Sequence, residues 1–316
     1  MANIITVGEI LVEIMAKRIG QKFDTTGEYI GPFPSGAPAI FIDQAAKCGS
    51  NTSIISAVGN DGFGKINLDR LKKNGVNTSN IKILEDETTG IAFVTYKENG
   101  DRDFIYNISN AACGKINSTY INEYDFKDCK YFHIMGSAIY NESIQKTIMD
   151  SIKIAKKYNC KISFDPNVRK EIINHKGKKQ LLLDILNIAD IILAGEDELY
   201  YLTNDKNEKK VVESLLENKK AEIIIIKRGK KGSTLYSYNK DISIEPYEVK
   251  EIDPTGAGDC FGGTFISCIN QNIDIETAAK YATIAGALAV TKKGPMEGNT
   301  SLQEIESIYK KIYRNS

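Results

Sequence analysis

The chain has 316 residues, of which 26% are charged, and its 41 Lys and Arg residues balance 41 Asp and Glu residues. A net charge of zero gives no electrostatic reason to expect nucleic acid or an anionic membrane as a partner, so we expect small molecules or other copies of the chain. The sequence contains neither the basic and apolar segments of a signal peptide nor a long apolar run, which together predict a cytoplasmic protein.

The first elements are a strand, an irregular stretch and a helix. The apolar run IITVG, Ile4 to Gly8, is typical of a buried strand. Residues 15–34 hold aromatic residues and glycines but show no helical period. The next stretch, PAIFIDQAAKC, is framed by Pro38 and Gly49, which suit the first turn and the end of a helix. A helix is therefore predicted between them.

A glycine-rich loop follows the second predicted strand, Thr52 to Gly59. Its sequence, GNDGFGKI, is one residue short of the nucleotide-binding pattern G-x-x-x-x-G-K-[ST]. Ile66 stands where that pattern has the hydroxyl group that binds magnesium. We therefore interpret the loop as a strand-to-helix turn that Asp61 caps.

Residues 88–107, TTGIAFVTYKENGDRDFIYN, form a hairpin pattern in which two alternating segments flank ENGD. We expect two excursions, about residues 12–34 and 88–109, to pair as a small sheet that acts as a lid over the core. The exposed edges of such a sheet invite pairing with a second copy, which predicts a homodimer through the lid.

Four more strand-length runs follow, separated by helical patterns. After Ser143, the predicted N-cap, Ile144, Ile148 and Ile152 form one apolar stripe. Alternation of strands and helices predicts an α/β fold with a mostly parallel central sheet, in one domain that spans residues 1–316. The runs are Lys130 to Gly136, Lys161 to Asp165, Asp190 to Gly195 and Glu222 to Lys227.

His133 and the six cysteines are interpreted as core residues. His133 lies in an apolar run with no partner motif, which favours burial over a role as a base. The cysteines form no C-x-x-C pair, and no histidine stands near them in the sequence at the spacing typical of a metal site. They are therefore predicted to be reduced thiols. They are Cys48, Cys113, Cys129, Cys160, Cys260 and Cys268.

The stretch DPTGAGD, Asp253 to Asp259, stands where a strand-like run gives way to a helical pattern. Pro254 ends the predicted strand, and the small residues after Thr255 allow the backbone to turn tightly against a ligand. The start of a helix presents unpaired N–H groups, which bind phosphate oxygens. Asp259 is then either a helix cap or the group that accepts a proton from an alcohol.

The overlapping sequence GAGDCFG matches part of a dinucleotide-binding fingerprint. That fingerprint requires a second strand that ends in an acidic residue about 20 positions later. The sequence downstream, IETAAKYATIAGALAV, is a second helical pattern. A nicotinamide enzyme is therefore disfavoured.

The whole stretch DPTGAGDCFGGTF resembles the C-terminal signature of the ribokinase (PfkB-type) carbohydrate kinases, D-T-x-G-A-G-D, with Pro254 in place of the usual threonine. Four more motifs extend the resemblance along nearly the whole chain. They are SGAPAIFIDQAAKCG, VGNDGFG, FDPNVR and KRGKKG. The resemblance implies a ribokinase-like three-layer α/β/α core and transfer of the γ-phosphate of ATP, with Mg²⁺, to a sugar hydroxyl group.

The resemblance also implies roles for the residues of the signature. Asp259 would be the general base, and the amides of Gly256, Ala257 and Gly258 would form an anion hole for the transferred phosphoryl group. Such transfer depends mostly on positioning and electrostatics, so a rigid set of N–H groups next to a base suffices.

Further residues are assigned by the resemblance to the nucleotide and to metal ions. Glu198 would reach Mg²⁺ through water, and the loop that contains Asp253 and Thr255 would hold a monovalent cation such as K⁺. The nucleotide-binding residues would be Lys227, Gly229, Gly232, Gly256, Gly258, Thr283 and Ala287.

The sugar pocket implied by the resemblance leaves some alternatives open. Phe104 and Tyr106 fit packing within the lid sheet as well as contact with the sugar. Arg102 is either a surface residue of the hairpin with no role in binding, or it makes a planar, bidentate bond to an acidic sugar. The full set is Glu13, Gly36, Arg102, Phe104, Tyr106, Asn167 and Arg169.

Three positions depart from the family pattern. Ile40 stands where the family usually has an Asn that binds the sugar, and Glu13 stands where the family usually has Asp. The family element N-x-x-E corresponds to Gly195 to Glu198, with Gly195 in place of the Asn. GEILVEIMA and GPFPSGAPAIFIDQ are most similar to the tagatose kinase-like branch, near fructokinases. We expect a tagatose or fructose kinase, with 2-dehydro-3-deoxygluconate kinase and ribokinase as alternatives. The non-enzymatic alternative is a silent sugar or nucleotide sensor, which the presence of Asp259 disfavours.

Overall fold

The computed structural model describes residues 2–99, 101–168, 177–217, 221–238 and 240–313. These residues form a nine-stranded sheet and a four-stranded sheet. The strands are β1 (Ile4–Val7), β2 (Leu11–Ala16), β3 (Tyr29–Ser35), β4 (Thr52–Gly59), β5 (Ile81–Leu84), β6 (Gly90–Tyr96), β7 (Arg102–Asn107), β8 (Tyr131–Met135), β9 (Lys161–Asp165), β10 (Ile191–Gly195), β11 (Ile223–Lys227), β12 (Ser233–Ser237) and β13 (Lys240–Ile244). The α-helices are α1 (Ala37–Lys47), α2 (Gly62–Lys73), α3 (Glu142–Lys157), α4 (Lys178–Leu186), α5 (Glu196–Thr203), α6 (Glu208–Leu216), α7 (Ala257–Asn270), α8 (Ile275–Ala289) and α9 (Leu302–Tyr313).

The larger sheet lies between two layers of helices. Its strand order is β13-β12-β11-β10-β9-β8-β1-β4-β5, and the pairings are parallel except that β12 is antiparallel to both β11 and β13. Along β11, Ile224 and Ile226 pack in the apolar cluster that includes α3 to α6, whereas Ile225 packs in the cluster that includes α1, α2, α7, α8 and α9. Burial on both faces explains the continuous apolar runs. The predicted three-layer α/β/α fold is confirmed.

The smaller sheet has the order β3-β2-β6-β7 and comes from residues 11–35 and 90–107. Strands β6 and β7 pair antiparallel with Phe93 opposite Ile105, which confirms the predicted hairpin. Side chains alternate along β7, so that Arg102, Phe104 and Tyr106 are half-buried while the residues between them are exposed. The movement of this sheet as a lid and the single-domain organisation stay predictions.

The predicted start of α3 is wrong by two residues. Asn141 is the N-cap, because its Oδ1 accepts a hydrogen bond from the Ile144 amide at 3.0 Å. Ser143 lies inside the helix and donates its hydroxyl to the Ile116 carbonyl at 2.7 Å. Asn and Ser are about equally good caps, so the local pattern did not separate them. Asp61 caps α2 as predicted, with its Oδ1 2.7 Å from the Gly64 amide.

The strand predicted before Asp253 is absent, since residues 245–252 adopt no strand. The Ile252 and Asp253 amides donate instead to the Val290 carbonyl, at 2.7 and 3.2 Å, at the end of α8. In this segment the apolar residues alternate with charged ones and none of them is fully buried, unlike a core strand that is covered on both faces. Helix α7 begins at Ala257, so Asp259 lies inside its first turn.

The residues interpreted as core are buried. All six cysteines are buried free thiols. His133 stacks on Phe41 with ring centroids 3.6 Å apart, and its Nδ1 lies 3.0 Å from the Ser163 hydroxyl. Burial holds the pKa of His133 well below its ordinary value, so the ring is neutral.

Within the described part of the chain, every helix is too short or too polar to cross a lipid bilayer.

Candidate active site

Polar side chains cluster where the parallel strands of the larger sheet end. Glu9 follows β1, Ser137 follows β8, Asp165 ends β9 and Lys227 ends β11. Open α/β sheets bind ligands at the carboxyl ends of their strands. Two pockets lie at this edge, and residues at the N-terminus of α7 line both of them.

The first pocket lies beneath the smaller sheet, and we call it the lid pocket. Its lining includes five of the predicted sugar-binding residues, contributed by β2, β7 and the start of α1. Its volume is about 40 Å³, which is space for only a few water molecules. The five residues are Glu13, Gly36, Arg102, Phe104 and Tyr106.

Three carboxylates line the lid pocket, those of Glu9, Glu13 and Asp259. Glu9 Oε1 accepts a hydrogen bond from the Ser137 hydroxyl at 3.1 Å, and Glu13 Oε1 accepts one from the Ser35 hydroxyl at 2.7 Å. Both glutamates are almost completely buried. Buried carboxylates held in this way are strong acceptors for hydroxyl groups.

The second pocket is larger and more open, and we call it the groove. It has a volume of about 680 Å³, within the range of small-molecule sites, and α8 and residues 246–251 contribute to its walls. Most of the predicted nucleotide-side residues line it. They are Glu198, Lys227, Gly229, Gly232, Gly258, Thr283 and Ala287.

The N-terminus of α7 lies between the lid pocket and the groove. Ala257 and Gly258 line the groove, whereas Asp259 lines the lid pocket. Gly256 is the N-cap and lines neither pocket. Among the described residues no side chain caps this helix, so its first amides are available to an anion.

Asp259 is 5% exposed and is not the helix cap. Its Oδ1 accepts a hydrogen bond from the side-chain amide of Asn167 at 3.1 Å. Asn167 lines neither pocket but holds the carboxylate at the wall of the lid pocket. This arrangement is suited to a general base.

A buried ion pair lies beside Asn167. Lys227 Nζ is 2.5 Å from Asp165 Oδ2, and Asp165 Oδ1 accepts from the Asn167 amide at 3.1 Å. Burial raises the pKa of Asp165, although Lys227 opposes this shift. Burial alone would lower the pKa of Lys227, but the negative charges of Asp165, Glu198 and Asp259 outweigh it. Lys227 is therefore a protonated ammonium group.

Glu198 joins α5 to the loop after β9. Its Oε2 accepts from the Gly195 amide at 2.7 Å, and its Oε1 accepts from the Val168 amide at 2.9 Å. The carboxylate lines the groove. Among the residues described, no group of three or more His, Cys, Asp or Glu is arranged to hold a metal ion.

The loop before α7 is tied to the lid. Asp253 is buried, and its Oδ1 accepts from the Thr255 amide and hydroxyl at 3.1 and 2.7 Å. Asp253 Oδ2 accepts from the Gly294 amide at 3.0 Å. The Thr255 hydroxyl in turn accepts from a guanidinium nitrogen of Arg102 on β7 at 2.7 Å.

Glu9, Ser137 and Asp165 were not among the site residues predicted from the sequence. Glu9 directly follows the first apolar run, and Asp165 lies within FDPNVR, so strand-end position was a usable signal for both. Ser137 carried the same signal, because it directly follows the predicted run Lys130 to Gly136. The predicted site residue Arg169 lies outside the described residues.

Comparisons with known proteins identify the family. The family model described as "pfkB family carbohydrate kinase" matches residues 1–302. "Probable fructokinase-5" from Arabidopsis thaliana is 30% identical over 305 residues, which cover 93% of this chain and 94% of that protein.

Solved structures of sugar kinases share the fold of this chain. An E. coli protein described as a candidate ribokinase II, in complex with ATP and Mg²⁺, is 46% identical with a TM-score of 0.93, covering 98% of this chain and 100% of that one. A fructokinase double mutant from Vibrio cholerae, bound to fructose, ADP and a potassium ion, shares the fold at 23% identity and a TM-score of 0.84, covering 97% of this chain and 98% of that one. With two adjoining pockets at the start of one helix and a family match over nearly its whole length, this chain belongs to the pfkB family of carbohydrate kinases.

Proposed function

We propose that this carbohydrate kinase transfers the γ-phosphoryl group of ATP to a hydroxyl group of a ketohexose, fructose or tagatose. One observation carries the proposal. The N-terminus of α7 presents Asp259 to the lid pocket and Ala257 and Gly258 to the groove. A sugar in the first pocket and a nucleotide in the second would therefore meet at this helix end. The fructokinase relative supports a ketohexose.

Asp259 acts as the general base in this proposal. Its carboxylate accepts the proton of the sugar hydroxyl while the hydroxyl oxygen forms a bond to the γ-phosphorus. The bond between that phosphorus and the bridging oxygen breaks, and its electron pair stays on ADP. Asn167 orients the carboxylate through the 3.1 Å hydrogen bond. The Ala257 and Gly258 amides stabilise the charge on the transferred group.

The charge of the lid pocket supports an uncharged sugar. Among the described residues that line this pocket, three carboxylates face one cation, Arg102, which already donates to Thr255. A substrate carboxylate would add a further like charge to this buried site. The geometry therefore favours fructose or tagatose over 2-dehydro-3-deoxygluconate.

The groove has room for ATP with Mg²⁺, and we assign Glu198, one of the glutamates that line it, to contact the ion through water. Mg²⁺ binds proteins through one or two carboxylates plus substrate phosphates, and it neutralises charge on those phosphates.

The loop with Asp253 and Thr255 fits a monovalent cation such as K⁺. The Asp253 carboxylate is buried and accepts hydrogen bonds from the Thr255 amide and hydroxyl and from the Gly294 amide, which are neutral donors. A cation there would balance this charge beside the helix start.

The smaller sheet is both the lid and the dimer interface in this proposal. A hexose needs more room than the lid pocket now has, so the sheet moves away for the sugar to enter. On its outward face, Phe93 and Ile105 lie opposite each other with 37% and 51% of their surfaces exposed. A second copy would cover these side chains.

A sugar panel tests this function. The protein is incubated with ATP and Mg²⁺ and either fructose, tagatose, ribose or 2-dehydro-3-deoxygluconate, and ADP and the sugar phosphate are quantified. We expect a ketohexose to have the highest kcat/KM. Preference for the sugar acid would contradict the ketohexose assignment. Sugar binding without ADP release would identify a sensor.

A further inference from the structure

Lys227 reaches past one strand to bind the next. It ends β11 in register with Gly195, the last residue of β10, and its partner Asp165 ends β9 on the far side of β10. The 2.5 Å contact between Lys227 Nζ and Asp165 Oδ2 therefore passes the end of β10.

The ammonium group lies at the boundary between the groove and Asp259. A Cβ atom built on Gly258 would be 3.4 Å from Lys227 Nζ, so the ammonium is next to the start of α7. Lys227 also lines the groove, and only 18% of its side chain is exposed. A phosphoryl group that moves from the groove towards Asp259 passes this position.

The charges around Lys227 fix its position and its protonation. Asp165, Glu198 and Asp259 all stabilise the ammonium form. An ammonium group has three N–H donors, and the bond to Asp165 uses one of them. The other donors allow the same nitrogen to bind phosphoryl oxygens without leaving Asp165.

We propose that Lys227 is a catalytic residue that donates hydrogen bonds to the phosphoryl group in transit, and that Asp165 is the positioning residue that holds it there. The inference rests on the proposed function and adds a side-chain cation to the amides of α7. Because the phosphoryl group approaches the boundary during transfer, the interaction is stronger in the transition state than with bound ATP.

Binding of ADP with aluminium fluoride, which mimics the transferred group, tests the proposal. ADP affinity is measured by calorimetry with Mg²⁺ and fructose, with and without aluminium fluoride. We expect aluminium fluoride to tighten ADP binding by at least about 100-fold in the wild type. Lys227→Met should remove about 100-fold of that gain and change the affinity for ADP alone less than about threefold.

Two matched variants separate catalysis from structure. Asp165→Asn keeps the ammonium group and a side-chain oxygen that can accept its hydrogen bond, so this variant should lose less of the gain than Lys227→Met. Lys231→Met removes an exposed lysine from the same loop and should leave the gain unchanged. Equal losses in Lys227→Met and Asp165→Asn would show that the ion pair only supports the fold, and would overturn the proposal.

The remaining outcomes are also decisive. If Lys227→Met does not fold, the double variant with Asp165→Asn removes both buried charges, and it should fold and show the same loss. A wild type that gains nothing from aluminium fluoride overturns the proposal. A gain that depends on Lys227 in a protein that phosphorylates no sugar of the panel contradicts the proposed function and leaves this inference standing.

Discussion

Gly256 controls the direction of the first amides of α7. Its φ of 82° lies in the left-handed region that residues with a side chain rarely adopt, and a Cβ there would lie 2.4 Å from the Pro295 carbonyl oxygen. The backbone therefore turns into the helix between the two pockets only because this position has no side chain. The small residues of DPTGAGD predicted such a turn, but the contact with Pro295 required the fold.

Replacing Gly256 by Ala tests this geometry against a matched control. Gly20 has a similar φ of 79° and no heavy atom within 4 Å of a built Cβ. Gly20→Ala should lower the free energy of unfolding by about 1 kcal/mol, the cost of the left-handed backbone alone. Gly256→Ala should cost about 3 kcal/mol and lower kcat at least about tenfold.

Urea unfolding and steady-state kinetics measure both effects. Equal destabilisation of the two variants, with full activity in Gly256→Ala, would contradict this account. It would show that Pro295 shifts to accommodate the added methyl group and that the helix start does not require glycine.

At the level of secondary structure, the sequence predicted most accurately the strands that are buried on both faces. Thr52 to Gly59 and Lys161 to Asp165 match β4 and β9, because strands buried on both faces are apolar throughout. The start of α3 was missed because Asn141 and Ser143 are both good caps. The segment before Asp253 has strand-like alternation but bonds to the end of α8.

Site residues that belong to one short motif could be predicted from the sequence. Site residues that meet only because their strands are neighbours in the sheet could not. DPTGAGD brings Asp259 and the amides together within seven residues. The pairing of Asp165 with Lys227 depends on β9, β10 and β11 lying side by side, which no local pattern gives. Glu9 and Ser137 likewise meet only because β1 and β8 are neighbours.

The hairpin of β6 and β7 connects the lid to the loop before α7. Arg102 donates to the Thr255 hydroxyl at 2.7 Å, and Thr255 donates to Asp253. A hydrogen bond from a charged group contributes about 1.5–3 kcal/mol. Arg102→Met should therefore raise the KM for the sugar about tenfold or more, because the closed lid is less stable.

Lys97→Met is the control for the hairpin, since Lys97 is exposed and pairs with Asp103 away from the pocket. Its KM for the sugar should match that of the wild type, and neither variant should change the KM for ATP more than about threefold. If the KM for the sugar is unchanged in Arg102→Met, the hydrogen bond between Arg102 and Thr255 does not stabilise the closed lid.

At the scale of the whole molecule, the outward face of the lid determines assembly in our proposal. Ile105→Glu places a charge where the second copy would pack, so this variant should be a monomer where the wild type is a dimer. Ile83→Glu is the matched control, because Ile83 is 53% exposed on β5 of the other sheet.

Analytical ultracentrifugation distinguishes these states. A monomeric wild type, or a dimer that survives Ile105→Glu, would exclude this face as the interface.

The most direct test of the central claim is the turnover of Asp259→Asn with the sugar that the wild type prefers. Loss of the general base should lower kcat by about two to four orders of magnitude and leave ADP affinity within about threefold. Asp197→Asn, which changes an exposed Asp in the first turn of α5, should keep normal turnover. An Asp259→Asn variant that retains most of its kcat would contradict the account of proton transfer at the start of α7.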